Sequence, residues 1–500
     1  MRTTFLTRTA GLLNHQLESA CAGSSFPSSS PSSQQPQKKA CISGLEPALT
    51  SRFFARCYHA RRKPFSGPGV PVVSRLTTSR PGCLRPIATS STNMNFLAKE
   101  KEKFEAPEDL GLKYSKDEIL RFMIDCMMAV GTPKPNATSL ANVLLAADER
   151  GHYSHGMNRL EMYVNDVKQK ICEGGATPTI EKESVSTALV NGNNGLGPVV
   201  GDFCMELAVK KAKETGIGWV CARGSNHYGI AGWYSMTATK QGLLGMSFTN
   251  TSPLVAPTRA KTGALGTNPI SLSAPAKGGD SFVLDMATCV VAVGKIEVER
   301  RKENPIPEGW ALDKEGQPTT DPKEAMFGAL MPLGGPETHS GYKGYGLGML
   351  VEIFCGIMSG GHYGPNVRRW MQTDRPADLG QCFVAIDPSF FAPGFEDRMS
   401  DLMDHCRNME PADPSKPVLV AGDPERTHVE KVKKEGGITY HVNQIKDSWK
   451  LGKALGGRLG YLRTLPHLLG RSSGSCSRSR FVSPLDDLSS PIKPYPLLCR

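Results

Sequence analysis

Four stretches carry the residues able to do chemistry. In "DERGHYSHGMNRL", Ser154, His155 and Arg159 crowd one loop-to-helix junction, and the spacing of His155 and Arg159 puts both on one face of a helix. An arginine fork held there grips a small carboxylate in a bidentate pair, although a solvent-facing arginine has the same signature. In "GSNHYGIAGWY", His227 stands among Gly, Ser and Asn where the chain turns. A ligand can approach such a ring, and a histidine bonded to its own turn would look alike. The stretch "SFTNTSPLVAPTRAKTGALGTNPISLSAPA" packs Thr249, Asn250, Thr251, Ser252, Thr267 and Asn268 between prolines. It reads as a polar pocket wall or as turns whose side chains satisfy one another. Lys343, between glycines in "SGYKGYGLGMLVE", sits at a helix start suited to a phosphate or carboxamide, or is a plain surface lysine.

Two further patterns are weaker. Gly195, Gly197 and Gly201 in "NGNNGLGPVVG" follow a strand and open a helix with GxGxxxG spacing, close to a dinucleotide fingerprint. No acidic residue ends a following strand where the ribose would need it. His152 and His155 in "HYSH" lack Cys or carboxylate partners at ligand spacing, and the 14 cysteines form no CxxC pair, so no metal is expected. Scattered cysteines of this kind fit a reducing compartment.

Elements that could position these residues follow from periodicity. Ile119, Phe122, Met123, Cys126 and Met127 recur at helical spacing after a Ser115 cap with Glu118 three residues on. Helices follow over "NATSLANVLLAADERG" and "GMNRLEMYVNDVKQK". The chain then alternates: strand "STALVNG", helix "DFCMELAVKKAKETG" ending at Gly216, strand "IGWVCAR", helix "MTATKQG", strand "LLGMSFTN". This predicts an α/β fold, a sheet with helices packed on it and the opening helices as a separate layer. "YGLGMLVEIFCGIMSGG" is the most apolar run. It is too short for a membrane span and carries Glu352, so it is expected as a buried helix.

Composition sets the frame. The net charge of +11 belongs to the ends: residues 1–94 hold twelve Lys/Arg against Glu18 and Glu46, residues 453–500 eight against Asp486 and Asp487, and the middle is acidic by five. No basic stripe points to nucleic acid. The leader, Arg- and Ser-rich and poor in acids, reads as a mitochondrial transit peptide, or as chain ahead of a start at Met94. The location is mitochondrial in the first case and cytoplasmic in the second. The expected organisation is a leader over 1–94, a mainly helical substrate-binding segment over 95–176, an α/β cofactor and catalytic domain over 177–350, a helical and mixed segment completing it over 351–452, and a disordered or aberrant tail over 453–500.

Residues from about 113 to 440 resemble the malate/L-lactate dehydrogenase family, which includes ureidoglycolate and sulfolactate dehydrogenases. The strings "RGHYSHGMNRL", "NGLGPVVG", "GSNHYGIAGWY", "SFTNTSPLVAPTRAKTGALGTNP", "DMATCVVAVGKIE" and "SGYKGYGLGMLVEI" carry the resemblance. It implies a homodimeric NAD- or NADP-dependent oxidoreductase of small 2-hydroxy acids, with a mixed sheet in a non-Rossmann cofactor fold. It further implies that His227 is the acid/base, that Ser154, His155 and Arg159 hold the substrate carboxylate, and that Thr251 contacts substrate. Asp285, Met286 and Ala287, with Lys343 and Gly344, match cofactor-contacting positions. One departure is that the chain past about 449 does not look like the family's C-terminal helix. Two alternatives remain open: an imine reductase of the same fold acting on cyclic imino acids, and a catalytically silent dinucleotide-binding regulatory protein.

Overall fold

The computed structural model describes residues 111–369, 372–456 and Leu462. The leader expected over 1–94 and the chain beyond Leu462 lie outside the described residues.

The chain opens with strand β1 (Gly111–Tyr114), helices α1 (Lys116–Ala129) and α2 (Lys134–Glu149), two 3-10 turns (Tyr153–His155 and Met157–Arg159) and α3 (Leu160–Lys168). Helix α1 starts where the sequence places it: the Ser115 hydroxyl accepts the Glu118 N–H at 3.3 Å, and the expected apolar stripe is buried. That stripe packs with Leu140, Leu144, Tyr163, Val432, Ile438, Tyr440, Ile445 and Leu462 in one core. Each such side chain contributes about 1.5–3 kcal/mol on burial.

Next come β2 (Thr179–Glu183), β3 (Thr187–Asn191), α4 (Gly197–Thr215), β4 (Ile217–Ser225), α5 (Gly232–Thr239), β5 (Leu244–Thr249), β6 (Ile270–Pro275) and β7 (Ser281–Met286). After α6 (Val293–Lys302), the short strands β8 (Ala311–Leu312), β9 (Pro318–Thr319) and β10 (Ala329–Leu330) form a small sheet beside α7 (Pro322–Ala325). Helix α8 (Gly341–Glu352) leads to β11 (Leu379–Ile386), α9 (Phe395–Arg407), α10 (Asp423–Glu435), β12 (Ile438–His441) and α11 (Val442–Ala454).

The main sheet has seven strands in the order β2-β3-β4-β11-β5-β6-β7. Only β3 and β4 pair parallel, through the crossover helix α4; the other neighbours are antiparallel. This is the mixed α/β architecture expected, and it is not a doubly wound parallel sheet. Strand β11 lies at its centre, so the segment after residue 351 supplies the strand that joins the two halves. β1 pairs with β12, which ties the opening helices to the C-terminal ones.

Three local expectations are corrected. Helix α4 begins at Gly197, ahead of the predicted start at Asp202, with Pro198 in its first turn. Lys453 and Ala454, expected as the start of the tail, form the last turn of α11, and Leu462 is buried in the core of the opening helices. Its polar-looking sequence hides an inward face of Ile445, Ser448 and Gly452, where the glycine lets the Phe122 ring approach to 3.2 Å of a Cβ position. The apolar run at α8 is buried on one side only. Glu352 and Val351 face inward, whereas Leu350, Ile353 and Ile357 are exposed, and the helix passes into a π turn at Ile353–Ile357. Among the described residues no helix is long and apolar enough to cross a membrane.

Candidate active site

The junction after α2 is shaped by a buried carboxylate. Asp148, inside the core end of α2, accepts the Met157 N–H at 2.9 Å and the Tyr440 hydroxyl at 2.7 Å. A Cβ at Gly156 would overlap this carboxylate, which is why glycine stands there. Burial pushes the Asp148 carboxyl up to about 7, against the pull of those two donors. The turn does not carry His155 and Arg159 on one helix face, as expected. They sit on two 3-10 turns separated by Gly156, and the turn brings them together. The Ser154 hydroxyl lies 2.9 Å from His155 Nδ1, and the Ser154 carbonyl accepts Arg159 Nε at 2.6 Å. Ser154 is itself exposed and orients the other two.

His227 comes from the loop after β4. Its ring stacks on His155 with centroids 5.9 Å apart and planes 19° from parallel. Its Nδ1 lies 2.5 Å from the Tyr163 hydroxyl of α3 and 3.3 Å from the Gly229 N–H. With the ring proton on Nδ1 the imidazole donates to the Tyr163 oxygen; with it on Nε2, Nδ1 accepts instead. Burial, then the neighbouring His155 and Arg159, hold His227 well below the ordinary imidazole range, and burial with Arg159 pushes His155 down to about 4. Both rings are neutral at neutral pH.

The glycines read as a weak dinucleotide fingerprint serve this loop. A Cβ at Gly197 would overlap the carbonyls of Asn226 and His227, and one at Gly201 the Tyr234 ring. The start of α4 is thus filled by the protein's own backbone, where a Rossmann turn would keep space for pyrophosphate.

The threonine- and asparagine-rich wall turns out to be both pocket lining and self-satisfied. Thr251 Oγ1 accepts the Thr267 N–H at 2.9 Å and lies 3.3 Å from the Thr267 hydroxyl. Buried Asn250 and Asn268 donate to the two oxygens of Glu352, at 2.9 and 2.8 Å. The acid that broke the apolar run of α8 therefore braces the wall from behind.

His155, Arg159, His227, Thr251, Asp285, Met286 and Ala287 line one cavity of about 250 Å³. A second cavity of about 1000 Å³ shares His152, Ile230 and Asp285 with it, and carries Arg150, Lys240, Arg426 and apolar Met236, Leu284 and Leu419. Asp285 accepts the Gly232 N–H at 2.7 Å, and burial raises its carboxyl to about 6. Lys343 and Gly344 line neither cavity. Lys343 is exposed in the first turn of α8, and Gly344 is explained by the Leu333 backbone that a Cβ would overlap. His152 and His155 do not converge: His152 Nε2 points to Glu425 at 3.5 Å. No group of three or more metal-ligating side chains occurs among the described residues.

Asp148, Tyr163 and Arg368 escaped the sequence reading, and Glu352 was legible only as a charge within an apolar run. An acid within an apolar helical run was the available signal for Asp148 and Glu352; Tyr163 and Arg368 gave none.

The malate/L-lactate dehydrogenase family model matches residues 114–447. A malate dehydrogenase of Pyrococcus abyssi is 44% identical over 305 residues, covering 59% of this chain and 82% of that protein. An L-sulfolactate dehydrogenase of Methanocaldococcus jannaschii is 39% identical over 333 residues, covering 65% and 93%. Among solved structures, a malate dehydrogenase from Pyrococcus horikoshii OT3 superposes with a TM-score of 0.65 at 36% identity, covering 70% of this chain and 98% of that one.

Proposed function

The chain belongs to the malate/L-lactate dehydrogenase family, and from that premise we propose that it interconverts a small 2-hydroxy acid of malate or lactate type and its 2-oxo acid, with NAD or NADP as hydride partner. The observation that carries this reading is the convergence of one arginine, two neutral imidazoles and a threonine on a cavity of about 250 Å³ that opens into a larger trough.

The trough's chemistry fits a dinucleotide. Arg150, Lys240 and Arg426 suit its phosphates, Met236, Leu284 and Leu419 suit ring faces, and Asp285, Met286 and Ala287 lie where the small cavity begins. A nicotinamide held there would supply or accept the hydride at the substrate carbon. Lys343 and Gly344 keep a cofactor role on resemblance alone.

Arg159 anchors the substrate carboxylate through its fork, and neutral His155 beside it offers a hydrogen bond that orients the substrate. In oxidation, His227 takes the hydroxyl proton at Nε2 while Nδ1 stays bonded to Tyr163. In reduction, it returns that proton to the growing alkoxide. Burial holds His227 low first and the Arg159 charge adds to it; a carboxylate on Arg159 offsets that second part, so substrate raises the proton affinity of the ring. The exposed row Leu350, Ile353 and Ile357 suits the homodimer expected of the family.

The test is a panel of 2-oxo acids and one cyclic imino acid with NADH and NADPH. Turnover of 2-oxo acids is expected. Preference for the imino acid would replace this reading with imine reduction, and binding of dinucleotide with no turnover would leave a silent binding protein.

A further inference from the structure

A third cavity, of about 500 Å³, lies on the other side of the proton-transfer group. It shares Arg159, His227, Thr251 and Ser252 with the small cavity, and its far wall carries Asp166 and Arg368. The Arg368 side chain is only 11% exposed and that of Asp166 8%. Their contact is long: Arg368 Nη2 stands 3.4 Å from Asp166 Oδ2, and the same oxygen accepts Asn226 Nδ2 at 3.1 Å. Arg368 Nη1 donates to the Arg375 carbonyl at 3.3 Å, so among the described residues two of the five guanidinium donors are engaged. The Arg368 carbonyl accepts the Ser252 hydroxyl at 2.8 Å, which fixes the arginine's backbone to the wall beside Thr251.

A nearly buried guanidinium with one long carboxylate contact is balanced in charge but has most of its donor fork unfilled among the described residues. A substrate held by its carboxylate on Arg159, with the reacting carbon at His227, has its remaining substituent free to enter this cavity. A methyl group there would leave Arg368 as it is. An acidic group would complete its fork. Resting on the dehydrogenase reading above, we propose that Arg368 is a specificity-determining residue, which selects substrates carrying a second acidic group, carboxylate or sulfonate, at the end remote from Arg159. Asp166 holds the guanidinium in place between turnovers, and Asn226 links that pair to the loop of His227.

The test compares oxaloacetate, 3-sulfopyruvate, pyruvate and the C4 monomethyl ester of oxaloacetate on the full chain. In the wild type, kcat/KM for oxaloacetate or sulfopyruvate should exceed that for the ester by about 10²-fold or more, since a site built for a charged partner rejects the analogue lacking it. The diacid that gains most identifies the acidic group. Arg368→Leu should lose about 10²-fold on the diacids and change pyruvate by less than about 3-fold, and Arg368→Lys should fall between, because an ammonium keeps the charge and lacks the fork. Equal losses on diacid and pyruvate would make Arg368 structural and overturn the inference. So would a wild type that treats ester and diacid alike, a result that does not depend on any variant folding. Wild-type failure on every 2-oxo acid overturns the dehydrogenase reading and this inference together, whereas an unchanged diacid-to-pyruvate ratio in Arg368→Leu overturns this inference alone.

Discussion

The small cavity around His227 and the large one beyond Asp285 share a wall and are held in shape by different means. Around His227 the supports are buried hydrogen bonds: Asp148 accepts the Met157 N–H, Glu352 accepts the side-chain amides of Asn250 and Asn268, and the Gly229 N–H donates to Nδ1. Around the large cavity they are ion pairs near the surface. Arg407 grips Asp423 through Nε and Nη2 at 3.1 and 2.7 Å, and reaches Asp280 at 2.7 Å, while Arg426 bonds Asp423 and the Ser281 carbonyl. Those arginines hold the Asp423 carboxyl well below the usual range, against the opposing effect of burial. Proton transfer needs atoms fixed within a hydrogen bond's tolerance, which dry, satisfied supports supply. A site proposed to take up and release a large cofactor tolerates looser, solvated ones.

On that contrast, perturbing the small cavity should be costly and perturbing the large one mild. The largest effect belongs to His227→Asn, which should cut kcat by roughly 10²- to 10⁴-fold with dinucleotide binding near wild type. Its acidic limb in kcat/KM for hydroxy-acid oxidation should lie below the ordinary imidazole value in the wild type and vanish in the variant. His155→Asn should raise KM more than it lowers kcat and should leave the limb in place; the reverse pattern would exchange the two roles.

Arg159→Lys comes next. Disturbing a desolvated charge pair costs roughly 2–5 kcal/mol, about 30- to 5000-fold in kcat/KM, and lysine does not restore the fork. Wild-type kinetics in this variant would remove the anchor from Arg159.

A smaller effect concerns stability. The folded Asp148 carboxyl, raised to about 7, lies above the ordinary carboxylate value, so folding binds a proton more tightly than the unfolded chain does. Its contribution is fully present below the unfolded value and is lost as pH rises towards the folded one, with a slope of at most about 1.4 kcal/mol per pH unit. The low folded values of His227 and His155 act in the opposite direction, since their contribution is lost as pH falls. The quantity to measure is therefore the difference between wild type and Asp148→Asn in denaturant titrations from pH 4 to 7. A difference that does not move with pH would place the Asp148 carboxyl in the ordinary range. Mildest is Arg426→Ala in the large cavity, expected to change stability by under about 1 kcal/mol and to raise the cofactor KM while sparing kcat. A collapse of folding there would erase the contrast between the two cavities.

The sequence alone determined what local chemistry dictates. The Ser115 cap, the period of α1 and the alternation of helices and strands depend on neighbours three or four positions away, and those were legible. The residues that line the small cavity were legible as candidates too, since His227, Arg159 and Thr251 are polar groups in turn-rich settings within the family-like strings. Only the tertiary structure decided what those groups touch. It put β11 between β4 and β5, filled the start of α4 with the His227 backbone, and brought Arg368 across from a segment distant in sequence. It also lowered both imidazoles, because a pKa is set by the water excluded and the charges gathered around a ring, and no spacing along the chain records either.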